Sequence, residues 1–154
     1  MSGETDRSTG VHHVVWCIEP ENLERVRAFW EQVIGVPLED LDLPDLGLRI
    51  LISWEGGVEI MTPAYAKGAM ADAARAFLAE RGEGVYSVVY GVRNIEDVAA
   101  SFTDHGGRLL FREAIPKDAV AARKLSPGDR FSILQAGFDD HCGMRICLQE
   151  IVPE

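Results

Sequence analysis

Glu59 lies in the middle of the apolar run VEIM, where a carboxylate is costly to bury unless it is paired or keeps its proton. Such a group is a candidate general base, and the bland alternative is a solvated carboxylate on an open sheet face. His13, in VHHVVWCI, offers an imidazole that could ligate a metal, take part in proton transfer, or sit in a core with its hydrogen bonds met. Near the other end, GMRICLQE places Arg145 and Cys147 two residues apart, on one face of a strand. The thiol is a ligand for a soft or borderline metal, or a small buried hydrophobe. The guanidinium is an anchor for a carboxylate or phosphate, or a rim residue paired with an acidic surface.

The elements that must position these groups come in two copies. VHHVVWCI at 11–18 is echoed by VYSVVYGV at 85–92, and each is followed by a helix-like stretch stopping at a glycine, Gly35 or Gly107. In this register His13 stands opposite Ser87, so an imidazole in one copy is a hydroxyl in the other. Alternation along the first strand puts His13, Val15 and Cys17 on one face and His12, Val14, Trp16 and Ile18 on the other. Leu23, Val26, Phe29, Trp30 and Val33 recur at helical spacing, predicting a helix over 23–34. Leu48–Trp54 and Val58–Met61 read as a hairpin through Glu55, Gly56 and Gly57; with an even number of loop residues, Leu48, Ile50, Ile52 and Trp54 share a face with Glu59 and Met61. An alanine-rich helix is predicted over Tyr65–Arg81, capped by Gly82. The second copy repeats the order with a strand at 85–92, a helix at 95–105, and strands at 108–111, 131–138 and 144–151. Its loop 112–130 is longer than its counterpart and carries five basic and three acidic side chains, among them Arg123, Lys124 and Arg130. His105 at a helix end, His141 in a turn, and the turn formers Asp139 and Asp140 have no evident catalytic spacing.

Composition limits the partners. A chain of 154 residues suits one compact domain or two half-domains, and a net charge of −10 argues against nucleic acid and anionic membrane. No long apolar run is present, and the polar residues 1–10 read as a disordered tail without the core of a signal peptide, so a cytoplasmic location is expected. Three cysteines without C-x-x-C spacing suggest neither a disulfide framework nor a structural zinc site.

The duplicated order of strand, helix and further strands resembles the vicinal oxygen chelate superfamily, which includes glyoxalase, extradiol dioxygenases and bleomycin-resistance proteins. FLAERGEGVYSVVYGVRNIEDV at 77–98 is similar to its methylmalonyl-CoA epimerase-like members. The resemblance implies an α+β fold of two βαβββ repeats, with helices on the outer face of an open, cup-shaped mixed sheet. The modules would span 11–63 and 84–154, joined by a linking helix over 64–83. It further implies one divalent metal ion held by the first and last strands of each copy. Those positions here are His13, Glu59, Ser87 and Cys147, so that two of the four depart from the family's usual residues. His13, Glu59 and Cys147 with one open position would suit zinc.

Two functions follow. The first is an epimerase, isomerase or lyase acting on a small carbonyl or acidic metabolite, with Glu59 as base and His13 as partner or ligand. Its pocket would be lined by Trp54, Ile50, Ile52, Met61, Ser87, Arg145 and Cys147. The second is a non-catalytic protein of the resistance type that binds or sequesters a small molecule on the same scaffold. A homodimer is expected, the cup closing either within one chain or across two.

Overall fold

The computed structural model describes residues 7–68, 70–122 and 131–153. The described residues form an α+β fold with eight strands, and the chain divides into two compact units. One runs from His13 to Tyr86, and the other joins the N-terminal residues as far as His12 to the chain from Ser87 onward. Among the described residues no helix is long and apolar enough to cross a membrane.

In the His13–Tyr86 unit the strand order is β2 (Glu39–Leu43), β3 (Leu48–Ser53), β4 (Val58–Pro63) and β1 (Ser8–Cys17). The first three pair antiparallel, and β4 then pairs parallel with β1. One face packs under α1 (Leu23–Ala28), where Ile18, Leu23, Leu51, Val58 and Ile60 are buried with Trp16, Val26 and Trp30 against them. The predicted helix over 23–34 therefore exists, but its second half, Phe29–Ile34, winds as a π-helix before Gly35 closes it at φ 83°. That widened turn ends in a left-handed residue, which glycine adopts without steric penalty.

Several boundaries differ from expectation. Strand β2 is an acidic segment, EDLDL, with little β-propensity of its own; it is held at the edge because Asp40 accepts from both Arg49 and Arg27. The helix expected from Tyr65 begins only at Ala71, as α2 (Ala71–Arg81). Residues 64–65 are instead clasped to the β2–β3 turn, with Ala64 and Tyr65 amides donating to the Gly47 carbonyl at 3.0 and 3.2 Å. Helix α2 does not act as a bare linker either: Ala71, Ala74, Phe77 and Leu78 are buried, and the Ala74 carbonyl lies 3.8 Å from Cys17 Sγ. Finally, β1 starts at Ser8, so residues 8–10, expected in a tail, are strand. The Arg93 amide donates to the Arg7 carbonyl at 2.8 Å, and Ser8 Oγ to the Gly91 carbonyl at 3.4 Å.

The second unit repeats the plan. Its order is β5 (Gly84–Val92), β8 (Ile146–Pro153), β7 (Phe131–Phe138) and β6 (Leu109–Ile115), with β5 and β8 parallel and the others antiparallel. Helix α3 (Ile95–Asp104) covers one face through Ile95 and Ala99, packed with Val92, Ala136, Phe138 and Leu148. Its start is fixed by Glu150 on β8, whose carboxylate accepts from the amides of Asn94 and Ile95 at 3.1 and 2.8 Å. Within the described residues of the loop expected over 112–130, β6 runs on to Ile115 and α4 (Lys117–Ala122) follows. Arg123, Lys124 and Arg130 lie outside the described residues.

Two predictions arise. A Cβ on Gly68, at φ 154°, would lie 2.3 Å from the Gly47 amide nitrogen, so Gly68→Ala should cost about 2 kcal/mol in chemical denaturation. Hydrogen bonds from Arg49 and Arg27 hold the Asp40 carboxyl at about 2, below its ordinary 3.8. A depressed carboxylate stabilises the fold above its unfolded value and loses that contribution as pH falls through the folded one. Stability of the unaltered protein should thus decline more steeply than that of Asp40→Asn between about pH 4 and 2, by a modest amount because the cluster is solvent-screened.

Candidate functional site

Parallel pairing in the first unit sets Val14 beside Val58 and Val15 beside Glu59. His13 precedes Val14 and, by alternation, faces the same way as Val15, so it shares a face with Glu59. His13 is 4% exposed, and its Nε2 lies 3.2 Å from Glu59 Oε2, whose side chain is 19% exposed. The pair is thus shielded but reachable.

The wall around it is the one the hairpin register predicts. Ile52 is directly across from Glu59 on β3, and Ile50 is across from Met61, all three of these apolar residues being buried. Trp54 stands just beyond β3, its ring centroid 6.0 Å from that of His13 and tilted by 47°. His13, Glu59, Trp54, Ile50, Ile52 and Met61 therefore belong to one assembly. An apolar wall around a carboxylate and an imidazole lowers the local dielectric and strengthens their interaction with charge developing on a bound molecule.

In the second unit the equivalent register sets Val89 beside Cys147 and Gly91 beside Gln149. Since Val15 pairs with Glu59 in the first copy, Cys147 occupies the position that matches Glu59. Ser87 and Cys147 are both buried, at 7% and 8% exposure, and share a face; Cys147 Sγ lies 3.6 Å from the Leu148 carbonyl. Arg145 falls before β8 begins, and its Nε donates to Asp140 at 3.3 Å, the rim pairing weighed against an anion anchor.

Among the described residues no three His, Cys, Asp or Glu side chains converge to hold an ion. A catalytic zinc takes three protein ligands. The structure supplies His13 and Glu59 as a two-donor pair, so the metal expected from His13, Glu59 and Cys147 enters no chemical step below.

Two features escaped the sequence reading. Gln149 is 1% exposed and accepts at Oε1 from Gln135 Nε2 at 2.9 Å. Its signal was present: it follows Cys147 at the two-residue spacing that keeps a strand residue on the same face. The histidines set aside by spacing also meet in space, since Arg7, Ser101, Phe102, His105 and His141 line a surface cleft of about 240 Å³. They are far apart in sequence, so only the folded chain brings them together.

No family model matches the chain, and no curated protein matches it in sequence. Solved structures do. Methylmalonyl-CoA epimerase from Mycobacterium tuberculosis is 20% identical with a TM-score of 0.66, covering 97% of this chain and 92% of that one. A Streptomyces coelicolor methylmalonyl-CoA epimerase variant in complex with 2-nitronate-propionyl-CoA is 18% identical with a TM-score of 0.63, covering 93% and 97%. A methylmalonyl-CoA epimerase in complex with methylmalonyl-CoA and ammonium is 18% identical with a TM-score of 0.62, covering 93% and 94%. The chain thus has the fold found in methylmalonyl-CoA epimerases, which belong to the vicinal oxygen chelate superfamily.

Proposed function

We propose that the protein is an isomerase of the epimerase type, moving a proton on a carbon next to a carbonyl, with Glu59 as the base. The observation that carries this reading is the His13–Glu59 pair on a shielded strand face. A carboxylate in such a place has a limited hydration shell to shed before it meets a carbon acid, and the imidazole fixes its orientation. Acyl-CoA thioesters are the first candidate substrates, because structural neighbours of this fold carry them.

The step begins with an oxygen of Glu59 removing the proton. The electrons of the breaking C–H bond pass into the adjacent carbonyl, giving a planar enolate; a proton returned by Glu59 to the same face restores the starting configuration, and a proton delivered from water to the opposite face inverts it, the proton on Glu59 then passing to solvent. With Oε2 held near His13 Nε2, Oε1 is the oxygen left to face the substrate carbon. Ile52, across from Glu59, and Trp54, beside His13, form the apolar wall of the pair, while the 19% exposure of the carboxylate lets its captured proton exchange with solvent before reprotonation.

The test follows solvent deuterium entering the acidic carbon of methylmalonyl-CoA. Glu59→Gln keeps the shape and most hydrogen bonding but removes the acceptor, so exchange should slow by on the order of a hundredfold while affinity changes little. Undiminished exchange would remove Glu59 from the mechanism. Trp54→Ala should act on binding instead, weakening affinity by about tenfold through loss of the largest apolar surface beside the pair; unaltered affinity would place the ligand elsewhere.

A further inference from the structure

Gln149 occupies a position where the scaffold does not need an amide. In the first copy β1 sets Cys17 beside Met61, and in the second β5 sets Gly91 beside Gln149, so Met61 and Gln149 are equivalent. A thioether packs there at 2% exposure in one copy; the other buries a primary amide at 1%. Gln135, its cross-strand partner on β7, uses its own Nε2 to donate to Gln149 Oε1. Gln149 Nε2 is then left buried without an acceptor among the described residues. Turning both amides over would leave the buried oxygen of Gln149 unmet instead, so either assignment keeps one polar end unsatisfied. A buried donor of this kind points to a missing acceptor.

The same sheet face indicates which acceptor. Ser87 and Cys147 share it, and Glu113 on β6 pairs with Gln135 in register, placing a carboxylate in the same row as the two amides. A neutral carbonyl oxygen accepts a hydrogen bond in that buried place without the desolvation cost that an anion would carry. In the adjoining row Gly137 lacks a side chain and the Phe111 ring lies over it, where a Cβ would be 2.0 Å from Phe111 Cε1.

We propose that Gln149 Nε2, with its amide braced by Gln135, donates a hydrogen bond to the carbonyl oxygen of a bound acyl thioester. The substrate class rests on the function proposed above, but the role of Gln149 does not depend on Glu59 being the base. The experiment compares two ligands that differ in that oxygen alone: propionyl-CoA, and S-propyl-CoA, in which a methylene replaces the carbonyl. Calorimetry should show the unaltered protein preferring propionyl-CoA by about tenfold, and Gln149→Met reducing the preference to less than about twofold. Gln149→Leu, which removes the donor without adding an ionisable group, should reduce it likewise and serves if the Met variant does not fold. The Met variant should melt no lower than the unaltered protein, since it copies the first copy's packing. An equal preference in the unaltered protein and both variants would overturn the proposal, as would failure of the unaltered protein to bind either ligand. A Glu59→Gln variant that loses exchange activity but keeps the tenfold preference separates the two assignments.

Discussion

A carboxylate cannot sit on the apolar face of a sheet without a partner, and in this protein the partner is His13. The parallel register of β1 and β4 makes that pairing possible by setting Glu59 beside Val15, one step of alternation from the imidazole. Parallel strands need a long crossover, and here the connection is α1, its π-helical end, β2 and β3. The Asp40 ion cluster that holds β2 to the edge and the hairpin that brings Ile52 opposite Glu59 thus serve the same purpose. Both hold the strands in the order that sets β4 next to β1.

The two copies show what this backbone demands and what it leaves open. Both keep the parallel pair, the flanking helix and the stepwise register, because those bury apolar faces that a single strand or helix could not bury. The side chains at equivalent points have diverged: Glu59 against Cys147, and Met61 against Gln149. The first copy carries an acid and a base; the second carries a thiol, a hydroxyl and two amides. A fold that tolerates such exchange locates a site without dictating its chemistry, which is why structural likeness at 18–20% identity informs the scaffold and the residues must inform the reaction.

Much of this was legible in the sequence. Strand β7 matches its expected span of 131–138, and β5 and α3 each differ by one residue at an end, because alternation and helical spacing there coincide with burial. The face shared by Glu59, Ile52 and Met61 follows from the even loop 54–57, in which Trp54 belongs to the turn and not, as its aromatic character suggests, to the strand. Strand β2 was not legible, since EDLDL gains its strand character from arginines on α1 and β3 rather than from propensity. The late start of α2 depends on backbone hydrogen bonds to Leu46 and Gly47, which leave no trace in side-chain periodicity. Gln149 was not legible for a different reason: it sits mid-strand in β8, but a glutamine reads as a surface residue until its burial is known.

The central claim is that Glu59 meets the acidic carbon of a carbonyl compound. It is tested most directly by presenting that carbon with a leaving group, as 2-bromopropionyl-CoA, and mapping the product by peptide mass spectrometry. Attack by the carboxylate would expel bromide and leave an ester on the residue that faces the carbon. The account predicts the label on Glu59, with methylmalonyl-CoA protecting against it. An unlabelled Glu59 in protein alkylated elsewhere, or labelling indifferent to methylmalonyl-CoA, would contradict it.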